Sequence, residues 1–400
     1  GDGEWTYEAV WRVPNGAPAG TALPFEVEVT DSGANKVVQP LVLTAVPPRH
    51  VYESVTTAVG SADEVPTVPG GDSLPVFLLD GSTVSLYPPA AGGARSFESL
   101  HLYSGGEWSN GPGSAISVRR TTLTAPGASS YASLVAWYPL ELSIGETLAV
   151  AHGAAIDVSG RGLLGGNGSN APVALPGERS SRSGAAGSHG GMGHPTYGSW
   201  LTELDNAGSV YGNVRDPRLP GGGGANPGLP GGGVVGIEAE TAVVRLFGSI
   251  SANGGAIAGA YSNGGAGGSV RLRAGRLEGR GIVEANGSAG TSGVAVTGGG
   301  GGRVAVSWRE PASPFVDARA RGGQSAFWHG SGVPSDTPLG GAGTVFLERT
   351  GPGGLPLDRG MLKIGNPAST FPPATTTLPG IGDGVVEGVA LLESAPPVQV

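Results

Sequence analysis

The stretch Ile250-Ser-Ala-Asn-Gly-Gly255, followed after a short loop by Gly267-Gly-Ser-Val-Arg-Leu-Arg-Ala-Gly275, decides the fold of this chain. It recurs as Val283-Glu-Ala-Asn-Gly-Ser288, a second loop, and Gly300-Gly-Gly-Arg-Val-Ala-Val-Ser-Trp308. Self-similarity of this kind is typical of arrays in which each unit stacks on its neighbours. The sequence therefore predicts a solenoid.

The spacing between the copies is nearly constant. Asn253 and Asn286 are 33 residues apart, Val235 and Val270 are 35 apart, and Val270 and Val304 are 34 apart. An earlier relative of the repeat is present at residues 154–160, where the sequence reads Ala-Ala-Ile-Asp-Val-Ser-Gly.

Within each copy the apolar residues alternate with small or charged ones, which is the pattern of a β-strand buried on one face. Stacking the copies at equal offset predicts an inward row of Val235, Val270, Val304 and Val345. Glu238 and Arg273 then fall in the outward row, where an exposed pair would contribute at most ~1 kcal/mol. Asn253, Asn286 and the glycines after them are predicted at the corners, because glycine and asparagine tolerate positive φ.

Composition narrows the class of protein. The chain has 400 residues with 76 Gly and 33 Pro, yet 38% of the residues are hydrophobic and only 14% are charged. It lacks the Gly-X-Y period of collagen, and its apolar alternation argues against disorder. The net charge of −9 argues against nucleic-acid binding, and no apolar run is long enough for a transmembrane helix. There are no cysteines, which excludes disulfides and thiolate chemistry.

The chain divides into three parts. Residues 1–48 alternate with period two over about three short strands, which predicts part of an immunoglobulin-like β-sandwich. Residues 49–75 are rich in Pro, Gly, Ser and Thr and are predicted to be a linker. Residues 76–400 are predicted to form a glycine-rich, right-handed parallel β-helix, interrupted by a long loop insertion at about 161–233.

A set of glycine-containing motifs recurs along the chain: residues 156–162, residues 211–217 before the poly-Gly run, the Ala-Asn-Gly repeats, residues 301–306 and residues 341–347. Together they resemble a glycine-rich β-helix module of very large exported bacterial cell-surface proteins, in which immunoglobulin-like repeats often lie alongside. The resemblance covers roughly residues 80–395. It implies a parallel β-helix and an extracellular or bacterial cell-surface location, and it carries no catalytic residues. The abrupt ends of the sequence fit a piece of a longer protein.

The insertion is the place where the sequence predicts ligand contact. Aromatic and histidine residues concentrate there, in a chain with only six His and seven Trp. They could form an aromatic platform for a sugar or a weak metal site based on the two histidines; the alternative is that their rings pack the loop back onto the flank of the β-helix. The candidates are His189, His194, Tyr197, Trp200 and Tyr211.

Calcium is the only cofactor that the sequence leaves open. The regularly spaced Asp of calcium-binding β-rolls is absent, but Asp157, Asp205 and Asp216 could supply oxygen ligands. Zinc ordinarily takes three or four ligands, so the two histidines of the insertion are weak evidence for a zinc site. No phosphate-binding loop or nucleophile elbow occurs in the required context.

Parallel β-helices also include enzymes that degrade polysaccharides, which usually need paired carboxylates on one surface. The outward positions of the repeat carry Arg, Ser, Ala and isolated Glu, so the sequence predicts no enzyme. It predicts instead a structural or adhesive module whose partners are extracellular polysaccharide, protein or further copies of itself. The alternatives are a carbohydrate-binding or polysaccharide-degrading protein that uses the insertion, and a self-assembling fibre subunit.

Overall fold

A computed structural model describes most of the second half of the chain and a set of strands in the first half. The described residues are 22–30, 36–44, 50–53, 56–58, 76–79, 83–86, 95–102, 115–118, 121–124, 133–136, 139–163, 185–194, 208, 210–224, 228–255, 263–290, 297–309, 317–324, 340–357, 360–366 and 389–392.

The described part of the chain is almost entirely β-strand and irregular backbone, with one short 3-10 turn at Pro352–Gly354. The strands, numbered in chain order, are β1 (Ala22–Thr30), β2 (Lys36–Thr44), β3 (His50–Glu53), β4 (Thr56–Ala58), β5 (Val76–Leu79), β6 (Thr83–Leu86), β7 (Arg95–Leu102), β8 (Ala115–Val118), β9 (Thr121–Thr124), β10 (Ser133–Ala136), β11 (Leu140–Val150), β12 (Ala155–Asp157), β13 (Val234–Leu246), β14 (Ser249–Ser251), β15 (Ser269–Glu278), β16 (Ile282–Glu284), β17 (Arg303–Trp308), β18 (Asp317–Arg319), β19 (Thr344–Arg349), β20 (Met361–Ile364) and β21 (Val389–Leu392).

Two parallel sheets contain most of these strands. The large sheet has ten strands in the order β21-β20-β19-β17-β15-β13-β11-β7-β5-β3, and the small sheet has seven in the order β18-β16-β14-β12-β8-β6-β4. Between β3 and β18 the chain visits the two sheets in turn, apart from an antiparallel hairpin of β9 and β10. From β13 to β17, register partners on neighbouring strands lie 33–35 residues apart, as the period predicts. The parallel order is interrupted once, where β20 pairs antiparallel to β19.

The first part of the chain differs from the predicted boundaries. Strands β3 and β4 lie inside the stretch predicted to be a linker, and they pair parallel with β5 and β6. The parallel sheets therefore begin at His50 and not at residue 76. Before them, β1 and β2 form a separate antiparallel pair. The rest of the predicted sandwich lies outside the described residues.

The core lies on the inward faces of the two sheets. Val235, Val270, Val304 and Val345 are register partners in β13, β15, β17 and β19, and each is at most 4% exposed. On the small sheet, Ile156, Ile250, Val283 and Ala318 make the corresponding row. Full burial of a Val, Ile or Leu side chain contributes about 1.5–3 kcal/mol, and here that burial comes from neighbouring repeats.

Glycine segments connect the small sheet back to the large one, and they are buried although they are not strands. They hydrogen-bond to one another through the backbone: Gly232 N–H donates to the Ala266 carbonyl, Gly267 N–H to Gly300, and Gly301 N–H to Gly341, at 2.8–2.9 Å. A Cβ on Gly232, Gly267 or Gly301 would overlap a carbonyl oxygen of a neighbouring segment. Glycine is required here because the backbones approach too closely for any side chain.

This packing corrects the reason predicted for the glycines. Positive φ occurs at Gly153, Gly160 and Gly279, which follow strands, but not at Gly254 or Gly287 in the Ala-Asn-Gly repeats. A Cβ at Gly254 or Gly287 would overlap the carbonyl of Gly265 or Gly299, respectively. Close backbone approach, not an unusual dihedral angle, selects these two residues.

The asparagines of the repeat form a ladder of hydrogen bonds. The Asn253 side-chain oxygen accepts the Asn286 N–H at 2.7 Å, and the Asn286 side-chain oxygen accepts the Arg321 N–H at 2.8 Å. Both side-chain amides donate to the Glu284 carboxylate, at 2.7 and 2.8 Å. Each asparagine thus satisfies a backbone donor one repeat further along the chain, which explains the 33-residue spacing.

The glycine packing gives the first prediction. Gly267→Ala places a Cβ against the Ala285 carbonyl in the middle of the hydrogen-bonded glycine segments, and we expect it to lower the free energy of unfolding by about 3 kcal/mol or more, as overpacking does. Urea denaturation followed by circular dichroism measures this.

Gly353→Asn is the matched control, because nothing lies within 4 Å of a Cβ there and asparagine tolerates its φ of 74°. It should cost about 1 kcal/mol or less. Equal losses in the two variants would contradict a packing role for the glycine segments.

Candidate functional site

Residues 185–194, the central part of the predicted insertion, are buried inside the glycine packing. Gly187 N–H donates to the Gly264 carbonyl, Gly191 N–H donates to Gly301, and Gly341 N–H donates to Met192, at 2.7–2.8 Å. The segment therefore crosses three successive repeats. We call it the crossing segment. Its burial means that the insertion is part of the scaffold over these ten residues.

His189 lies at the centre of the crossing segment and is fully buried. Its Nδ1 is 2.8 Å from the Gly267 carbonyl oxygen, and its ring lies 4.7 Å from that of Tyr211. Arg303, also fully buried, donates from Nε to the Tyr211 carbonyl at 2.8 Å and from a terminal nitrogen to the Thr344 hydroxyl at 3.0 Å. These four residues make a polar cluster inside the protein.

Burial sets the charge of the cluster. It lowers the pKa of His189 to about 3, and the positive charge of Arg303 acts in the same direction. Burial also lowers the pKa of Arg303, to about 10, so the guanidinium remains charged at neutral pH. The cluster thus pairs a neutral imidazole with a guanidinium cation at neutral pH.

The other predicted contact residues have separate positions. His194 is 5% exposed, and its backbone N–H donates to the Gly298 carbonyl at 3.1 Å. The Tyr211 hydroxyl donates to the Pro220 carbonyl at 2.6 Å. Tyr197 and Trp200 lie outside the described residues. His189 and His194 are therefore buried and Tyr211 is half-buried, an arrangement that favours the packing alternative.

Residues 211–219, at the end of the insertion, cover part of the outer face of the large sheet. Ser269 donates to the Leu219 carbonyl at 2.6 Å, and the Asn213 side chain accepts the N–H groups of Arg215 and Asp216 at 2.8 and 3.0 Å. We call residues 211–219 the covering segment. It brings Asp216 over strand β15.

Arg271 is the hub of this contact. Its side chain is only 3% exposed, and its guanidinium lies 2.8 Å from Asp216, 2.8 Å from Glu141 and 3.1 Å from Glu238. Alternation along β15 places Arg271 on the outer face of the sheet. The covering segment buries it there. The predicted Glu238–Arg273 pair is present at 3.7 Å with both side chains about one-third exposed.

The carboxylates around Arg271 have different electrostatic environments. Burial raises the pKa of Glu141 above its usual value although Arg271 opposes the shift. Burial acts in the same direction on Asp216, but hydrogen bonds from Arg218 and Arg271 outweigh it and hold its pKa below the usual value. An asymmetric pair of this kind resembles an acid and a base, yet both groups are occupied by one guanidinium.

Two of the three predicted calcium ligands, Asp157 and Asp216, lie within the described residues. Asp216 is surrounded by arginines, and Asp157 is exposed and accepts the Ser159 N–H at 2.8 Å. Asp205 lies outside the described residues. Among the residues that the structure places, no three His, Cys, Asp or Glu side chains are grouped as metal ligands.

A groove opens on the outer face of the large sheet beside the covering segment. It has a volume of about 220 Å³. One wall is the covering segment at Arg215 and Asp216, the other includes Gly353 and Gly354, and Ala305 and Ser307 of β17 line it between them. The charged side chains along it are Arg215, Asp216, Glu240, Arg271, Arg273, Arg309 and Glu348.

The charges in the groove are paired with differing strength. Arg309 lies 3.3 Å from Glu240 and Arg215 lies 3.6 Å from Glu348, while Arg215 also stacks 5.0 Å above the Phe346 ring. These pairs are looser than those of Arg271. The groove is therefore a charged surface with one tightly bound arginine and three more accessible ones, Arg215, Arg273 and Arg309.

Comparisons with known proteins add no assignment, because no family model, no curated protein and no solved structure matches this chain. In the described residues, no helix has the length and apolarity to cross a membrane.

Sequence reasoning missed the arginines and the groove. Arg271 and Arg303 occupy strand positions that alternation places on the outer face of the sheet. Arginines at such positions, in a chain with few charged residues, were the available sequence signal for these contacts. Their partners Glu141 and Tyr211 are 130 and 92 residues away in sequence, so no local pattern links them.

The Arg271 hub gives the second prediction. Arg271→Ala removes a buried cation and leaves Glu141, Asp216 and Glu238 close together without it, and we expect a loss of about 3–5 kcal/mol of stability, typical of breaking a buried ion pair. Arg276→Ala, which removes a half-exposed partner of Glu278, should cost ~1 kcal/mol or less. Denaturant unfolding compares the two, and similar losses would contradict the hub.

His189 gives the third prediction, on pH dependence. Its folded pKa of about 3 lies below the usual histidine value of 6.5, so between these values the unfolded chain binds more protons and stability falls as pH falls. From pH 7 to pH 4 the native chain should lose about 3 kcal/mol more stability than His189→Gln.

Urea titrations at the two pH values measure this difference, and groups such as His101 and the carboxylates titrate in both proteins. His152→Gln, which changes an exposed histidine, should retain the native pH dependence. A His189→Gln protein as acid-sensitive as the native chain would refute the assignment.

Proposed function

We propose that this chain is a non-catalytic structural and adhesive module of a large secreted or cell-surface bacterial protein. Its body would be a right-handed parallel β-helix, in which each repeat contributes one strand to each sheet and one glycine segment. An immunoglobulin-like domain would precede it within residues 1–48. Its role would be to hold binding surfaces on a stiff rod that contacts extracellular polysaccharide, protein or further copies of itself.

The observation that carries the proposal is the in-register stacking of the same positions over successive repeats. The valine row, the asparagine ladder and the glycine segments all connect residues 33 to 41 positions apart, from Asn253–Asn286 to Val304–Val345. Parallel strands joined by a crossover connection are right-handed in about 98% of cases, which supports the handedness. The contacts of His189, Arg303 and Arg271 also support a scaffold role, because they hold parts of the insertion against the glycine segments and the large sheet.

A polysaccharide-degrading protein is the second candidate. Asp216, Glu240 and Glu348 line the groove beside the covering segment, and glycoside hydrolysis requires carboxylates at such a place. Each of the three lies within 4 Å of an arginine, however, and a carboxylate held by a cation is poorly suited to donate a proton. This pairing favours the non-catalytic role.

The fourth prediction tests the shape and the absence of catalysis together. Small-angle X-ray scattering of the 400-residue chain should give an elongated particle, because parallel strands add ~4.8 Å of length per repeat. Incubation with neutral, carboxylated and sulfated polysaccharides should release no reducing ends or unsaturated products.

A compact particle would refute the rod. Release of products that disappears in Asp216→Asn or Glu240→Gln, while Glu278→Gln outside the groove retains it, would establish the enzyme instead. Antibody labelling of intact cells of the source organism tests location, and labelling only after lysis would refute a surface role.

A further inference from the structure

The groove between the covering segment and Gly353–Gly354 contains more hydrogen-bond donors than the described acceptors satisfy. A guanidinium has five N–H donors. Arg271 uses both terminal nitrogens on carboxylates at 2.8–3.1 Å, but its buried Nε has no partner among the described residues. The buried Nε of Arg309 is likewise without an acceptor in the described part of the chain. Water or a ligand atom can satisfy donors of this kind when no protein acceptor does.

The accessible arginines are held loosely. Arg273 lies 3.6 Å from Asp216 and 3.7 Å from Glu238, and Arg215 lies 3.6 Å from Glu348. These distances exceed those of direct charge-assisted hydrogen bonds, which are about 2.7–2.9 Å. Arg273 is 36% exposed and Arg309 is 27% exposed. Arg273 can therefore turn toward a ligand without breaking a tight pair, whereas Arg309 would exchange its 3.3 Å hydrogen bond to Glu240 for one to the ligand.

The shape of the groove limits the ligand. Its volume of about 220 Å³ lies below the ~300–1,000 Å³ typical of pockets that enclose a drug-sized molecule. It is open to solvent along one side, and the small side chains of Ala305 and Ser307 line it. One sugar-sized unit of a longer polymer fits such a site, with the rest of the polymer lying across the sheet.

The chemistry of the arginines limits the ligand further. A planar guanidinium matches a carboxylate by two parallel hydrogen bonds. Arg273 lies in β15 and Arg309 directly follows the neighbouring strand β17, and both line the groove. Glu240 lies beside Arg309, and Asp216 lies beside Arg273. A ligand carboxylate that binds these two arginines would therefore replace the contacts that they make with Glu240 and Asp216.

We propose that this groove binds a carboxylate-bearing sugar unit of an acidic polysaccharide, with Arg273 and Arg309 as the specific contacts. The inference rests on the proposed adhesive function and names its ligand class. Arg271 would position the covering segment that forms one wall, and Arg215 would close the groove from above.

The fifth prediction uses calorimetric titration of the 400-residue chain with oligogalacturonate, with sulfated dextran of similar length and with neutral dextran. Oligogalacturonate should bind at least tenfold more tightly than either of the others. The Arg273→Ala/Arg309→Ala double variant should weaken that binding at least tenfold, and raising NaCl from 50 to 500 mM should weaken it further. Arg276→Ala, which removes an arginine of the same strand outside the groove, should bind within twofold of the native chain.

Three outcomes would overturn the inference: no binding of oligogalacturonate, equal binding of the sulfated polymer, or equal losses in Arg276→Ala and the double variant. Thermal unfolding of each variant establishes that it is folded, and Arg273→Lys/Arg309→Lys retains the charge if the alanine protein is unstable. That lysine variant should still bind oligogalacturonate at least threefold more weakly than the native chain. Lysine lacks the planar guanidinium that forms two parallel hydrogen bonds with a carboxylate. A rod that binds no acidic sugar would overturn only this inference, whereas cleavage of the oligogalacturonate would overturn the non-catalytic function.

Discussion

The close approach of glycine backbones is the constraint on which the rest of this structure depends. Segments around Gly232, Gly267 and Gly301 hydrogen-bond directly to their neighbours, and a single Cβ at any of these positions would overlap a carbonyl oxygen. These segments can pack against one another only because side chains are absent. The large glycine content therefore serves a dense interior, although it would by itself suggest flexible loops.

The crossing segment also depends on the close approach of glycine backbones, and its side chains fix the register in which it packs. A glycine surface has few features that fix the register of a segment packed against it. His189 and Arg303 supply such features, because each has a defined hydrogen-bond partner and neither can be moved without losing it. Arg271 does the same for the covering segment. Buried polar groups thus determine where the insertion lies, while glycine determines how closely it can pack.

Much of the fold follows from the sequence period. The valine row and the parallel order of the strands could be predicted because each repeat meets a near copy of itself, so a local pattern specifies a long-range contact. The start of the parallel sheets at His50 could not, because β3 and β4 are short and carry no copy of the Ala-Asn-Gly repeat. The charged groove could not either, since its walls come from Arg215, β15 and Gly353, which no shared pattern links.

The sequence by itself determined that this chain is all-β and built from repeats, because side-chain alternation and a fixed spacing act through near-identical neighbours. It also indicated the insertion as the exceptional part. Only the tertiary structure decided where the side chains of the insertion lie: it buries His189 beside the ring of Tyr211 and brings Asp216 to Arg271. The physical reason is that these contacts join unlike segments, so their energies depend on burial and geometry that exist only once the repeats have stacked.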